Sequence, residues 1–218
     1  MLSILNVYAQ ESKIEYAKKI TISEGLAHNG ISSVLEDSNG FLWIGTYQGI
    51  NKYDGLKLTT YKNTIDLDIL TSNRVRSISE DKKGNLWIGT DEGLTIYNSL
   101  QEKFSKIYSN KLTNKETNGP IIRNILISKK SNLIYCLTEG KGVLVFNEHY
   151  KLVDRLFDTL NEYKSIFYDA IELDNGNILF ASSEGLYVYE ASSNKSHKRI
   201  LQEKNETYVD INFTNQHT

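Results

Sequence analysis

Asn85-Leu86-Trp87-Ile88-Gly89-Thr90, preceded by Asp81-Lys82-Lys83-Gly84 and followed by Gly93-Leu94-Thr95-Ile96-Tyr97, decides how the rest of the chain is read. The same phrase stands earlier as Asp37-Ser38-Asn39-Gly40-Phe41-Leu42-Trp43-Ile44-Gly45-Thr46 and then Gly49-Ile50-Asn51-Lys52-Tyr53, so Trp43 and Trp87 lie 44 residues apart. Upstream of the turn the identity continues at that offset in Leu26/Leu70, Asn29/Asn73, Ser33/Ser77, Glu36/Glu80 and Asp37/Asp81. Two fainter copies follow, residues 132–138 with 142–146 and residues 176–182 with 185–189. With Gly40, Gly84, Asn132 and Gly176 as equivalent points, the spacings are 44, 48 and 44.

A period in the forties with four short strand signals per unit and no helical pattern is the signature of a β-propeller blade. In the second copy the strands are expected at residues 74–80, 85–90, 93–98 and 103–108. Asp81-x-x-Gly84 suits a type I turn closed at positive φ, which glycine supplies without steric cost and asparagine supplies next best. Gly40, Gly84 and, in the third copy, Asn132 then satisfy one geometry. The strand through Leu86, Trp87 and Ile88 is apolar on both faces, whereas a half-exposed sheet alternates with polar residues. Sheets stacked face to face cover their middle strands on both sides. Gly45, Gly89 and Ala181 stay small to admit a large side chain from a neighbouring sheet, and Trp43 and Trp87 read as wedges between sheets in preference to ligand-stacking groups. The expected fold is all-β, a β-propeller of four-stranded antiparallel blades, incomplete, with about four blades and the start of a fifth.

Along the chain, residues 1–13 read either as a signal-peptide remnant, because Val7-Tyr8-Ala9 before Gln10-Glu11 resembles a cleavage site, or as a disordered N-terminus. Residues 14–218 form the partial propeller. Residues 14–23 are expected as an orphan strand that completes the last blade. The blades are expected at about 31–61, 75–108, 121–157 and 167–201, with residues 208–213 opening a partial blade as its innermost strand.

The formal net charge of −2 offers no electrostatic footprint for nucleic acid or an anionic membrane. The single cysteine, Cys136, sits in an apolar strand, where it is a small buried hydrophobe. The four histidines have no partner at ligand spacing, so neither a metal nor a cofactor is expected. Glu36-Asp37 and Glu80-Asp81 recur in register at strand-to-turn junctions, as turn-capping residues do, and read as structural acids before general acids or bases. D-x-x-G-x-x-W faintly echoes a sialidase Asp-box, which would need an arginine cluster for a substrate carboxylate. The five arginines, Arg74, Arg76, Arg123, Arg155 and Arg199, show no such grouping in the sequence.

The string Val75-Arg76-Ser77-Ile78-Ser79-Glu80-Asp81-Lys82-Lys83-Gly84-Asn85-Leu86-Trp87-Ile88-Gly89-Thr90, followed by Gly93-Leu94, resembles the two-component regulator propeller repeat, and residues 23–55 resemble its first blade. The resemblance is specific over residues 24–108, weaker in the later copies, where Tyr135 and Leu179 replace the tryptophan, and absent after Leu201. It implies the periplasmic sensor half of hybrid two-component systems, mostly of Bacteroidetes, in which propellers precede a β-sandwich, a membrane helix and a histidine kinase, and the signals are often oligosaccharides. This chain would then be an N-terminal fragment without kinase activity, whose partners are an oligosaccharide and the remaining blades and signalling domains of a parent receptor. Self-association, as a homodimer, is also expected, because terminal blades expose faces built for a neighbour.

The repeated residues Trp43, Gly45, Trp87, Gly89, Gly40 and Gly84 hold blades together, so binding should use loops whose side chains vary between copies. Those between second and third strands carry Tyr47-Gln48, Asp91-Glu92, residues 139–141 and Ser183-Glu184. Those leading to the inner strands carry His28-Asn29 and Asn73-Arg74, in which the asparagines read as turn-formers. The ligand-binding candidates are Tyr47, Gln48, Arg74, Asp91 and Glu92, and none is catalytic. The expected function is a non-catalytic sensor of an oligosaccharide. The alternatives are an interaction scaffold or truncated fragment without ligand and, less favoured, a propeller hydrolase or lyase, whose converging acids the sequence does not display.

Overall fold

The computed structural model describes residues 19–107, 119–157, 165–190, 195–200 and 207–209. They form four antiparallel sheets, each a meander in chain order. The first contains β1 (Ile31–Glu36), β2 (Leu42–Thr46), β3 (Gly49–Tyr53) and β4 (Leu58–Tyr61), and the second β5 (Val75–Glu80), β6 (Leu86–Thr90), β7 (Gly93–Asn98) and β8 (Lys103–Ile107). The third contains β9 (Ile122–Ile127), β10 (Ile134–Thr138), β11 (Val143–Phe146) and β12 (Leu152–Leu156). The fourth runs β13 (Phe167–Glu172), β14 (Ile178–Ser182), β15 (Gly185–Glu190), β16 (Lys195–Ile200) and β17 (Thr207–Val209).

Short polar turns create the meanders. Asp37 Oδ1 accepts from the backbone N–H of Asn39 (3.0 Å) and Phe41 (2.9 Å), and Gly40 closes the turn at φ +82°. Asp81 repeats this with Lys83 and Asn85, both at 2.9 Å, and Gly84 at φ +78°. Asn132 takes φ +58° at the third turn, where asparagine is the next most tolerant residue. The other oxygen of each aspartate accepts from a tryptophan: Trp43 Nε1 donates to Asp37 Oδ2 at 2.7 Å and Trp87 Nε1 to Asp81 Oδ2 at 3.0 Å. The D-x-x-G-x-x-W spacing thus lets one carboxylate shape the turn and satisfy the buried indole N–H.

The core lies between sheets. Trp43 and Ile50 of the first sheet pack with Val75, Ile78, Leu86 and Ile88 of the second, and Trp87 and Leu94 of the second with Ile122, Ile125, Cys136 and Leu144 of the third. Tyr135, Leu137 and Val143 of the third meet Phe167, Ile178, Phe180 and Tyr187 of the fourth. β6 is therefore apolar on both faces because it is covered on both. A Cβ at Gly45 would lie 2.7 Å from Val75 Cγ1, and one at Gly89 would lie 2.7 Å from Ile122 Cγ2, so each glycine receives a side chain from the following sheet.

The first strands of consecutive sheets approach one another. Ser32 Oγ donates to Val75 O (2.7 Å), Ser79 Oγ to Ile125 O (2.8 Å), and Asn124 Nδ2 to Asp169 Oδ1 (2.8 Å). The sheets thus splay from neighbouring inner strands, the blade arrangement of a propeller. Glu80 and Glu172 clamp the inner strands as well. Glu80 accepts from Ser38 N at 2.9 Å and Ser38 Oγ at 2.6 Å, and Glu172 from Ser128 Oγ at 2.6 Å and Lys129 N at 2.8 Å, so each caps the turn of the preceding sheet.

Two expectations are corrected. Ile22–Glu24 form a single 3-10 turn where the end of an orphan strand over residues 14–23 was expected; residues 14–18 lie outside the described residues. The cause is a capping box: the Thr21 hydroxyl accepts from Ser23 N at 3.2 Å, while Glu24 Oε2 accepts from Thr21 N at 2.7 Å. Thr207–Val209 belong to the fourth sheet, antiparallel to β16 on its outer edge, where residues 208–213 were expected to open a new blade on its inner strand. A short connection from β16 makes antiparallel hairpin pairing the nearest way to satisfy that strand's backbone. Residues 210–213 lie outside the described residues.

Candidate functional site

One end of the sheets, here the loop end, gathers the starts of the inner strands and the loops between second and third strands. Those loops are built alike. Thr46, Thr90, Thr138 and Ser182 each donate a hydroxyl hydrogen bond across the loop, to the carbonyls of Gly49, Gly93, Gly142 and Gly185, at 2.7–3.0 Å. The same hydroxyls accept from the N–H of Gln48, Glu92, Lys141 and Glu184 at 3.1 Å. The loop backbone is thereby fixed and its central side chains are left to vary.

Each inner strand also carries a β-bulge at its second residue. The pairing passes from Ile31↔Thr46 to Ser33↔Gly45, from Val75↔Thr90 to Ser77↔Gly89, from Ile122↔Thr138 to Asn124↔Leu137 and from Phe167↔Ser182 to Asp169↔Ala181. Ser32, Arg76, Arg123 and Tyr168 are the extra residues. A bulge re-aims a side chain beside a functional end. Arg76 meets Asp91 in its own sheet's loop, and Arg123 donates to Glu139 Oε2 through Nε (3.0 Å) and Nη2 (2.6 Å).

Three of the five candidate residues come together. The Arg74 guanidinium lies over the Tyr47 ring, 4.6 Å from its centroid, and Arg74 Nε stands 3.6 Å from Asp91 Oδ2. His28 stacks against Tyr47 with centroids 5.7 Å apart, and Gly30 N donates to His28 Nδ1 at 2.7 Å, which leaves the ring proton on Nε2. Gly30 makes the room, since a Cβ there would lie 2.7 Å from the Tyr47 ring. Gln48 and Glu92 join through backbone only; neither side chain forms a hydrogen bond or ion pair with the cluster among the described residues.

The neighbouring asparagines serve the backbone. Asn29 Oδ1 accepts from Ile22 N at 3.0 Å, and Asn73 bonds Asn63 N at 2.6 Å and Asn63 O at 3.2 Å. In the fourth sheet Glu184 accepts from Ser165 Oγ and from the Tyr187 hydroxyl. No group of three or more His, Cys, Asp or Glu among the described residues is placed to hold a metal ion. At the opposite, turn end, a crevice between the second and third sheets is lined by Asp81, Lys82, Lys83, Asn132 and Glu148. Lys82 Nζ spans it to Lys129 O at 2.9 Å, so these lysines act as braces between sheets.

Sequence reasoning missed Arg76, Arg123, Gly30 and His28's stacking role. It also left the arginines scattered, whereas the fold carries Arg74, Arg76 and Arg123 to one end. The available signal was the second inner-strand position, which reads Ser32 in the first copy and Arg76 in the second within otherwise matching surroundings.

Residues 25–48 and 69–92 match the family model described as Two component regulator propeller, each segment ending in a loop of the candidate site. A 59-residue stretch is 34% identical to histidine kinase P4 of Formosa agariphila, covering 27% of this chain and 4% of that protein. Among solved structures, the extracellular domain assigned to hybrid two component system BT3049 of B. thetaiotaomicron is similar, with a TM-score of 0.70 and 23% identity over 84% of this chain and 26% of that one. The extracellular domain assigned to one component system BT4673 of the same organism gives 0.66 and 20% over 83% of this chain and 23% of that one. The chain spans about a quarter of the solved structures it resembles and a small part of the curated relative. Residues 25–48 and 69–92 thus match the two-component regulator propeller repeat, and the chain folds as blades of a propeller.

Proposed function

We propose that this chain is the ligand-reading part of an extracytoplasmic sensor of the two-component type, that its ligand is an oligosaccharide, and that it performs no chemistry on it. The observation that carries the reading is the loop end itself, where hydroxyl-braced loops and bulged inner strands hold Tyr47, Arg74, Arg76 and Asp91 as a half-exposed aromatic and polar cluster. The part-exposed Tyr47 ring, flanked by Arg74 and His28, sets apolar surface beside fixed hydrogen-bonding groups, which suits a ligand that carries both apolar and hydroxylated surface. The Two component regulator propeller match and the extracellular domains among the similar structures support the signalling context. No helix among the described residues is long and apolar enough to cross a membrane.

The test is thermal unfolding of the chain with and without a panel of neutral and acidic oligosaccharides. A ligand at 100 times its Kd stabilises the folded form by about 2.7 kcal/mol, so at least one sugar should raise the melting temperature by several degrees, and Tyr47→Ala should abolish the rise. No shift with any sugar, or an undiminished shift in Tyr47→Ala, refutes the reading.

The second reading, an interaction surface, is favoured by the first sheet. Val75 and Ile78 are buried against that sheet, while their equivalents Ile31 and Val34 are exposed. We infer that this face supports self-association; light scattering should give a dimer that Val34→Lys converts to a monomer, and a parent chain monomeric throughout contradicts it.

A further inference from the structure

Arg74 is set apart from the other arginines of the loop end. Arg123 has Glu139 to itself, in two hydrogen bonds to one oxygen. In the second sheet two guanidinium groups share one carboxylate. Arg76, 18% exposed, makes the close contact with Asp91 Oδ1, and Arg74, 44% exposed, stands off at 3.6 Å from Oδ2. That distance is too long for a hydrogen bond, and among the described residues the Arg74 side chain has no other hydrogen-bond or ion-pair partner, its remaining contact being the Tyr47 ring. Glu92, next in the loop, forms no ion pair with either guanidinium. The cluster thus holds more positive than negative charge, with its spare guanidinium facing solvent.

The spare group is also held in place. Tyr47 lies under it, and the Tyr47 ring is fixed in turn by His28 and the notch at Gly30. The contact, with the guanidinium carbon 4.6 Å from the ring centroid, uses none of the N–H donors, so the planar fork that takes a carboxylate through two parallel hydrogen bonds is left available. Asp91, shared with Arg76, aligns the fork without filling it.

We propose that the oligosaccharide bound at the loop end is acidic and that Arg74, beside Tyr47, binds the carboxylate of a uronic acid unit. This deepens the oligosaccharide reading above and rests on it. Arg76 is a positioning residue, which orients Asp91, and Gly30 positions the Tyr47 ring.

The experiment is calorimetric titration of the chain with oligogalacturonate, oligoglucuronate and oligomannuronate trimers, each paired with its uncharged methyl ester, and with neutral glucan and galactan trimers. At least one free acid should bind at least about tenfold more tightly than its ester. Arg74→Gln should lower that affinity by about tenfold or more, as loss of a charge-assisted hydrogen-bond pair implies. Lys103→Gln removes the same charge from an exposed site at the turn end and should change it less than about twofold. Unchanged melting temperatures for both variants establish that the fold is retained. Equal affinity for acid and ester, or a preference for a neutral trimer, overturns the carboxylate proposal and leaves the oligosaccharide reading standing. Undiminished binding to Arg74→Gln overturns the placement, and no binding by any sugar overturns both.

Discussion

Gly89→Ala tests whether the sheets meet as described. The added Cβ would lie 2.6 Å from Ser77 Oγ, 2.7 Å from Ile122 Cγ2 and 3.0 Å from Ile122 Cβ, against about 3.5–4.0 Å for ordinary carbon contact. The Ser77 hydroxyl makes no hydrogen bond and can rotate away, but Ile122 Cβ is fixed to the backbone of β9. Relief therefore requires the second and third sheets to move apart, and overpacking of this kind costs about 1–3 kcal/mol. Gly89 is not at positive φ, so alanine adds no backbone strain, and its narrower unfolded ensemble offsets about 0.4–1 kcal/mol. The expected net loss is about 1–2 kcal/mol, read as a lowered urea midpoint by circular dichroism and tryptophan fluorescence together, since stacked repeats can lose cooperativity. Ile122→Ala alone should cost about 2–5 kcal/mol, whereas the double variant should lose at least about 1 kcal/mol less than the sum. A Gly89→Ala chain as stable as its parent, or strictly additive losses, would refute the packing argument.

Three further expectations rest on single groups. Asp81→Ala removes the acceptor for Lys83 N, Asn85 N and the buried Trp87 indole at once, and should cost about 2–3 kcal/mol in urea unfolding, with Asp81→Asn costing less because one turn acceptor remains; equal losses contradict the dual role. Burial pushes the Glu172 carboxyl up, but hydrogen bonds from Ser128 Oγ, Lys129 N and Lys130 N outweigh it and hold the group below the ordinary glutamate value. A depressed folded-state pKa contributes stability above the unfolded pKa and loses it as pH falls through the folded one, so Glu172→Gln should flatten the acid limb of the stability curve below about pH 4.5; an unaltered limb contradicts this. Burial alone pushes the Cys136 thiol up within an apolar strand, so a thiol reagent at pH 8 should label it only as urea opens the structure, and rapid labelling of the native chain would contradict its place in the core.

The blades were legible because sheet packing writes itself into the sequence at fixed offsets. Trp43 and Trp87 must each find an aspartate six residues back, and Gly45 and Gly89 must each admit a residue of the following sheet, so their spacing repeats. The candidate site was legible only in part. Tyr47, Arg74 and Asp91 were visible as departures from a repeat, but the bulge that carries Arg76 and Arg123 to their loop carboxylates inserts one residue in every copy and leaves the period unchanged. Distance in sequence also hid the arginines' convergence, because Arg123 lies 49 positions after Arg74 yet one blade away. The capping box at Thr21 and Glu24 shows a local signature overridden in our reading by an expected strand. The outer pairing of Thr207–Val209 depends on which sheet edge is nearest, which periodicity does not encode.

The most direct test of the account is hydrogen exchange on the chain with and without the oligouronate of highest affinity. Ligand bound at the loop end should slow exchange in residues 28–30, 46–49, 72–76 and 91–92 and leave the turns at 37–41 and 81–85 unchanged. Protection confined to those turns, or to the outer strands of the sheets, would contradict it.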